Sequence, residues 1–145
     1  MIVAYPACFY VESDFVVVEF PDLNHLVTQG SDLNDAMAMA IDCLAGYLYD
    51  NKESGIKTSE PSNINDIDPM EHYKQFNPDG DVKECFVSYV SVDVEEYAKL
   101  HFNKPVKKTL SIPMWLNRLA IKNNINFSKV LKEALIEKLQ LNKQD

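Results

Sequence analysis

The first 30 residues consist of short apolar runs separated by polar turns. The segments IVAYPACFYV and FVVVEF are rich in β-branched and aromatic residues, and the polar sequence ESD lies between them. This pattern predicts an antiparallel hairpin, in which Pro6 indicates a nearby edge or bulge. FPDLNH then indicates a loop, and HLVTQG indicates a short third strand that ends at Gly30.

Residues 31–50 change to the apolar spacing of a helix. Ser31 is a candidate N-cap, while Asp32 and Asp35 favour the positive end of the helix dipole. The stripe expected to cover the sheet consists of Leu33, Met37, Ala40, Ile41, Leu44 and Leu48. Met37 and Met39 are interpreted as core-filling side chains.

Residues 51–82 are polar and contain three prolines, which predicts a long connection without regular periodicity. ECFVSYVSVDV then alternates like a half-buried strand. Its apolar face contains Phe86, Val90, Val92 and Val94. The order of three strands, a helix, a loop and a strand predicts an α+β domain, with one main helix on one face of an antiparallel sheet.

The sequence KPVKKTLSIPMWL, residues 104–116, predicts a basic strand that leads into a helix. In a strand, alternate side chains face opposite ways. One face consists of Val106, Leu110 and Ile112. The other face consists of Lys107, Thr109 and Ser111, which can all donate hydrogen bonds. Pro113 fits the first helical position, where a missing N–H is tolerated.

Two short helices are predicted after this strand. MWLNRLAIKNN has Leu116, Leu119 and Ala120 on its inner face, and Asn124 is a candidate for a left-handed ending. Asn126 or Ser128 can cap a second helix over SKVLKEALIEKLQL. The inner face of that helix consists of Leu131, Ala134, Leu135 and Leu139.

One strand and two helices in about 40 residues form too small a core to be stable alone. A second copy would pair the two strands and let four helices share a core. A two-stranded ribbon fits the major groove of DNA, where polar side chains read base edges. Lys107, Thr109 and Ser111 are therefore candidate base-reading residues. The N-terminus of the second helix is a candidate phosphate site. Its residues are Asn126, Phe127, Ser128 and Lys129.

The charge of the chain divides at one point. Residues 1–98 contain 19 acidic residues and four lysines, a net charge of −15, whereas residues 99–145 carry +7. The division predicts an acidic domain over 1–98 and a linker with a basic domain over 99–145. The acidic domain favours a basic protein partner, and the basic domain favours nucleic acid.

No arrangement in the sequence is typical of an enzyme, a metal site or a cofactor site. Candidate carboxylate pairs lie in the loop, at Asp66 with Asp68 and at Asp79 with Asp81, where acids are usually solvated. Asp14 and Glu19 have no evident partner, and the histidines at 25, 72 and 101 are isolated. Cys8, Cys43 and Cys85 are far apart in apolar contexts and are interpreted as buried thiols.

The chain shows no signal for a membrane. Its apolar runs are shorter than the roughly 20 residues of a membrane-spanning helix. The start, MIVAYPACFYVES, has no basic region before its apolar run and is interpreted as a strand. We therefore expect a cytoplasmic protein.

The order of these motifs resembles a known family. IVAYPACFYVESDFVVVEFPDL, VTQGSDLNDAMAMAIDCLAGYL, PSNI, a strand and a C-terminal ribbon-helix-helix pattern over 106–139 are together similar to HicB antitoxins of bacterial toxin–antitoxin pairs. Many members have Pro-Gly-Cys after the second strand, where this chain has Leu23, Asn24 and His25.

The resemblance implies a degenerate ribonuclease-H-like N-terminal domain that inhibits HicA, a small basic mRNA-cleaving toxin. It also implies a C-terminal domain that dimerises and represses the operon by binding operator DNA. Two other interpretations stay open at this point. One is a ribbon-helix-helix regulator whose N-terminal domain senses a ligand, and the other is a nuclease of the ribonuclease-H type.

Overall fold

The structure, a computed structural model, describes residues 1–80, 82–102 and 105–141 of the 145-residue chain. The chain folds into two compact units, Met1–Lys104 and Pro105–Asp145. Together they form an α+β protein with a four-stranded antiparallel sheet and five α-helices in the described residues. No helix among those residues is both long enough and apolar enough to cross a membrane.

The first unit contains the whole sheet and three of the helices. Its strands are β1 (Ile2–Val11), β2 (Val16–Phe20), β3 (Leu26–Gly30) and β4 (Glu84–Asp93). Its helices are α1 (Leu33–Glu53), α2 (Pro69–Phe76) and α3 (Val94–His101), with a 3-10 turn at Ile64–Asp66. All three predicted N-terminal strands, the predicted main helix and the predicted late strand are confirmed.

The strand order is β3-β2-β1-β4, so the first strand is central. Its pairing with β4 runs its full length, from Ile2 opposite Asp93 to Val11 opposite Glu84. Its pairing with β2 begins only at Cys8. Pro6 therefore has a partner strand on one side only, and the edge that its missing N–H predicts is present locally.

Helix α1 packs on one face of the sheet and closes the main core. Buried Ala36, Ala40, Leu44 and Ala45 belong to the same core as the apolar side chains of the strands. The small alanines let the helix lie close to the sheet. The N-cap is Asp32, whose carboxylate accepts the N–H of Asp35 at 2.8 Å, and so the prediction of Ser31 as the cap is wrong.

Two side chains that the sequence predicted to face the core from α1 are exposed. They are Leu33 and Met39, whereas Met37 packs against the core. Leu33 is the first residue of α1, three positions before Ala36, the first buried residue of the helix. Met39 lies on the side of α1 away from those alanines, so only Met37 fills the core as predicted.

The other face of the sheet is partly covered by α2, which the sequence pattern did not reveal. Residues 51–82 were expected to be an irregular connection. Instead Asp68 caps α2 by accepting the N–H groups of Met70 and Glu71, and Pro69 occupies the first turn. Tyr73 buries its ring against Cys8 and Tyr10 of the sheet. This second, smaller core is what holds the helix in place.

Helix α3 was also not predicted. It follows β4 directly, with Asp93 as its N-cap, and packs on α1. The hydroxyl of Tyr97 donates to Asp42 at 3.0 Å, and Lys52 lies 2.6 Å from Glu95.

The second unit contains α4 (Met114–Lys122) and α5 (Phe127–Lys138). Pro113 is the N-cap of α4 and lies one position before the first helical residue, which corrects its predicted placement. Asn124 has a left-handed backbone with φ 53°, and Asn126 caps α5, both as predicted. The predicted strand at 106–112 has no regular secondary structure in the single chain. A strand requires a partner for its backbone hydrogen bonds, and no partner strand is present among the described residues.

Candidate functional site

The second unit has no buried core of its own. Not one residue between 105 and 141 is buried, although the segment is rich in large apolar side chains. Leu116 and Leu119 of α4 and Leu135 of α5 are all exposed. Apolar surface of this extent on so small a unit is typical of an interface.

An open, mostly apolar groove of about 830 Å³ lies within this unit. Its lining from the helices includes Leu116, Leu119, Ala120, Leu131 and Ala134. These are five of the seven side chains that the sequence placed on the inner faces of the two helices.

The extended segment before α4 lies along the same groove with one set of alternate side chains. Lys108, Leu110 and Ile112 line the groove. Lys107, Thr109 and Ser111 are exposed and are not part of that lining. This division by alternate positions is the one expected of a strand.

The first turn of α5 contains the four residues predicted to hold a phosphate. The side chain of Asn126 accepts the N–H of Lys129 at 3.0 Å. The N–H groups of Phe127 and Ser128 belong to the same first turn, which has no earlier helical carbonyls to bond. Phe127 and Ser128 also line the groove. Lys129 is exposed, and its ammonium lies 3.9 Å from Glu133.

The acidic residues considered for a nuclease are used elsewhere or lie apart. Asp68 is the cap of α2, and Asp66 ends a 3-10 turn. Asp14 and Asp79 are exposed, and Asp81 lies outside the described residues. His101 stacks on Tyr97 with ring centroids 4.1 Å apart. Among the described residues, these acids and His101 form no common site.

A polar cluster in the first unit was missed by the sequence reasoning. Glu19, 3% exposed, accepts a hydrogen bond from the Tyr10 hydroxyl at 3.0 Å. Its other oxygen lies 2.6 Å from Nδ1 of His25 and 3.8 Å from Nδ1 of His72. The expectation that Glu19 has no evident partner is wrong, since the fold brings to it two histidines that are isolated in sequence. The available signal was a charged residue inside the apolar strand VVVEF, since a buried carboxylate requires partners.

Burial also governs the groups beside this cluster. Loss of hydration raises the pKa of the Cys8 thiol to about 11, and it raises the pKa of Tyr10 as well. Cys8 is fully buried, while Cys43 and Cys85 are partly exposed, so the prediction of buried thiols is confirmed for Cys8 alone.

Comparisons with known proteins give one decisive match. No protein-family model and no curated protein sequence matches the chain. A solved chain from a toxin–antitoxin complex of Streptococcus pneumoniae is 34% identical. The match covers 95% of this chain and 99% of that chain, with a TM-score of 0.63. The chain belongs to the HicB family of antitoxins.

Two further solved structures carry the HicB name. The HicA3 and HicB3 toxin–antitoxin complex contains a chain with 14% identity and a TM-score of 0.47, covering 60% of this chain and 94% of that one. The Burkholderia pseudomallei antitoxin HicB has 18% identity and a TM-score of 0.46, covering 97% and 99%.

The loop after β2 contains Leu23, Asn24 and His25. Leu23 is fully buried, and Asn24 and His25 have left-handed backbones with φ 54° and 55°. Asparagine and histidine are among the residues that adopt this conformation most readily. The turn that results brings His25 back toward Glu19 in β2.

Proposed function

We propose that this protein is an antitoxin that neutralises a HicA-type, mRNA-cleaving toxin and, as a dimer, represses its own operon. The observation that carries the proposal is the match along nearly the whole chain to a component of a toxin–antitoxin complex at 34% identity. A match that includes both compact units supports a protein with both activities.

The first unit is proposed to bind the toxin. Residues 1–98 carry a net charge of −15, and acids such as Asp14, Asp32 and Glu53 are exposed. An acidic surface suits a basic ribonuclease, because complementary fields speed and orient the encounter of two proteins. The four-stranded sheet with α1 on one face supports the proposed degenerate ribonuclease-H-like fold.

The second unit is proposed to be a ribbon-helix-helix domain completed by a second copy of the chain. Its groove is open, and its apolar side chains are exposed in the single chain. A partner would bury that groove and would also supply the strand that residues 106–112 lack. Both needs, burial and backbone pairing, are met by the same antiparallel dimer.

DNA binding is proposed for the ribbon and for the first turn of α5. Lys107, Thr109 and Ser111 are exposed and alternate with the groove-lining residues, so pairing would place their side chains on the outer face of the ribbon. That face would enter the major groove and read base edges. The α5 N-terminus, with Phe127, Ser128 and Lys129 after the Asn126 cap, would bind backbone phosphates and fix the register.

Toxin neutralisation is tested by finding whether an adjacent reading frame encodes a small basic protein and by co-expressing that protein with this one. We expect the two proteins to co-purify, and we expect growth arrest by the toxin alone to be relieved. A basic neighbour that neither binds the protein nor is neutralised by it would contradict the antitoxin role.

The operator activity is tested by a gel shift with the DNA upstream of the operon. We expect the full-length protein to retard that fragment and not a scrambled fragment. The triple variant K107A/T109A/S111A should lose sequence preference, while K138A, at the far end of α5, should keep it. Equal binding of both fragments by the wild-type protein would contradict operator recognition. Operator binding without any toxin partner would favour the alternative, a regulator with a ligand-sensing first unit.

A further inference from the structure

The Glu19, His25 and His72 cluster has the composition of a metal site. One carboxylate oxygen and one nitrogen from each imidazole lie within 4.8 Å of one another. We propose that these three side chains bind a divalent transition metal ion of the zinc class. The first unit would then carry a metal site in addition to the toxin-binding role proposed above.

The donor set selects this class of ion. Two imidazoles and a carboxylate are ligands for zinc and its neighbours, whereas calcium and magnesium prefer oxygen donors alone. Zinc bonds of about 2.0–2.1 Å place tetrahedral donor atoms roughly 3.3 Å apart. The distances from the Glu19 oxygen, 2.6 Å to His25 and 3.8 Å to His72, bracket that value. All three donor atoms lie within 4.8 Å of one another, so modest side-chain shifts would bring them to tetrahedral spacing.

His72 provides a separate reason to expect a ligand. Its Nδ1 atom is buried, and it has no hydrogen-bond partner in the described part of the chain. A buried nitrogen without a partner costs free energy, because it has given up its hydrogen bonds to water. A metal ion between His72 and Glu19 would satisfy this nitrogen directly.

The residues around the three donors hold them in place. The hydroxyl of Tyr10 donates to the second oxygen of Glu19, which leaves the first oxygen directed at the histidines. Such support of a ligating carboxylate is common around bound metals. The left-handed backbone at Asn24 and His25 turns the His25 ring toward Glu19, and Phe76 packs edge-on against that ring.

The site would connect the end of β2 and the turn after it to a helix that is distant in sequence. Glu19 lies in β2, His25 lies in the turn after it, and His72 lies in α2. Binding would therefore fasten α2 to the sheet face opposite α1. His25 is 45% exposed, so a fourth position is open to water or to an outside ligand.

The test is a zinc titration of the tag-free, metal-stripped full-length protein by calorimetry, with a chromophoric chelator as competitor. We expect one equivalent of tight binding at neutral pH and a rise in the thermal midpoint, because a ligand that binds only the folded state stabilises it. Cobalt should give the visible bands of a tetrahedral site without a thiolate charge-transfer band.

Three variants locate the site. E19Q keeps the shape and the contact with Tyr10, and H25N places a residue that tolerates the left-handed backbone at an exposed position. We expect each to lower zinc affinity at least 10-fold, while H101N, which removes an exposed histidine outside the cluster, leaves it unchanged. If E19Q folds poorly, H25N decides the result alone.

Three outcomes would overturn the proposal. They are no stoichiometric zinc binding by the wild-type protein, unchanged affinity in H25N, and a thiolate band that shows ligation by cysteine. None of these outcomes bears on toxin neutralisation or operator binding, which are measured separately. Failure of the metal site is therefore distinguishable from failure of the proposed function.

Discussion

Gly30, the last residue of β3, lies directly against the backbone of Ala36 in the first turn of α1. A Cβ at Gly30 would overlap the backbone nitrogen and the Cα of Ala36. We expect Gly30→Ala to lower the free energy of unfolding by about 3 kcal/mol, because backbone cannot move aside as a flexible side chain does. Urea denaturation followed by circular dichroism measures this loss.

Gly46, in the middle of α1, is the matched control. A Cβ there meets only the ring of Phe102, at 3.9 Å. Gly46→Ala should be neutral or should stabilise the protein by up to about 1 kcal/mol, as expected for alanine in a helix interior. Equal effects at the two glycines would show that β3 and α1 are not in close contact.

The start of α1 gives a second prediction. The carboxylate of Asp32 accepts the N–H of Asp35, whereas Ser31 only donates to the Asp35 side chain. Asp32→Ala should therefore cost about 1 kcal/mol of stability, the usual value of an N-cap. Ser31→Ala should cost less. A larger loss at Ser31 in the same denaturation experiment would restore Ser31 as the cap.

Local periodicity explains which elements the sequence predicted. The strands of the first unit and α1 were found because each has a long apolar pattern or clear turn residues around it. Helix α2 has eight residues and one buried side chain, Tyr73, so it is too short to show a clear helical period of apolar residues. Its local signals, a cap at Asp68 and a proline at position 69, are equally typical of a loop.

The polar cluster shows the limit of such reasoning. His72 is 53 positions from Glu19 in the sequence, and only the packing of α2 on the sheet brings them together. The predicted strand at 106–112 is a different case. Its backbone hydrogen bonds would come from a second molecule, so the strand stays a prediction in the structure of a single chain. The alternation of groove-lining residues along this segment supports it.

The buried thiol of Cys8 predicts a loss of stability at alkaline pH. Its pKa is raised from 9.0 to about 11 in the folded protein by loss of hydration. Below pH 9 the thiol is protonated in both states, and its contribution is fully present. Above pH 9 the unfolded thiol ionises first, so this contribution is lost as the pH rises toward 11, by roughly 2 kcal/mol.

The measurement is the free energy of unfolding in urea between pH 8 and pH 11. The free energy of unfolding of Cys8→Ala should be lower than that of the wild type at every pH. It should also decline less steeply between pH 8 and pH 11. Burial, the largest cause of the raised pKa of Tyr10, stays in both proteins, but the part that comes from Cys8 is removed together with the thiol. Cys85→Ala serves as the control, because that thiol is partly exposed. Parallel curves for Cys8→Ala and wild type would contradict the assignment.

Leu131 lines the groove of the second unit, so its substitution tests the proposed dimer. If a second copy covers the groove, Leu131→Gln removes about 2 kcal/mol of apolar burial from each protomer. The loss from both protomers together weakens the dimer roughly a thousand-fold. Sedimentation of the full-length protein measures the change.

Glu133→Gln is the control for Leu131, two positions along the same helix. It breaks an exposed ion pair with Lys129, which lies 3.9 Å away and contributes only a few tenths of a kcal/mol. We expect its dimer to sediment as the wild type does. A wild-type protein that is monomeric at micromolar concentration would contradict the shared core.

Substitution of Lys107 is expected to change the salt dependence of operator binding. Its side chain lies on the exposed, alternate face of the segment at 106–112, opposite the groove-lining Lys108. Lys107→Ala should weaken operator binding by about 1–3 kcal/mol, the usual cost of a lost base contact, and it should flatten the salt slope by up to about one unit, because one positive charge is removed from the face proposed to enter the DNA groove. Lys138→Ala removes the same charge about 16 Å beyond the start of α5, and should change neither quantity. Gel shifts across a salt series separate the two variants. A Lys107→Ala protein with wild-type affinity and salt dependence would show that this face of the segment does not touch DNA.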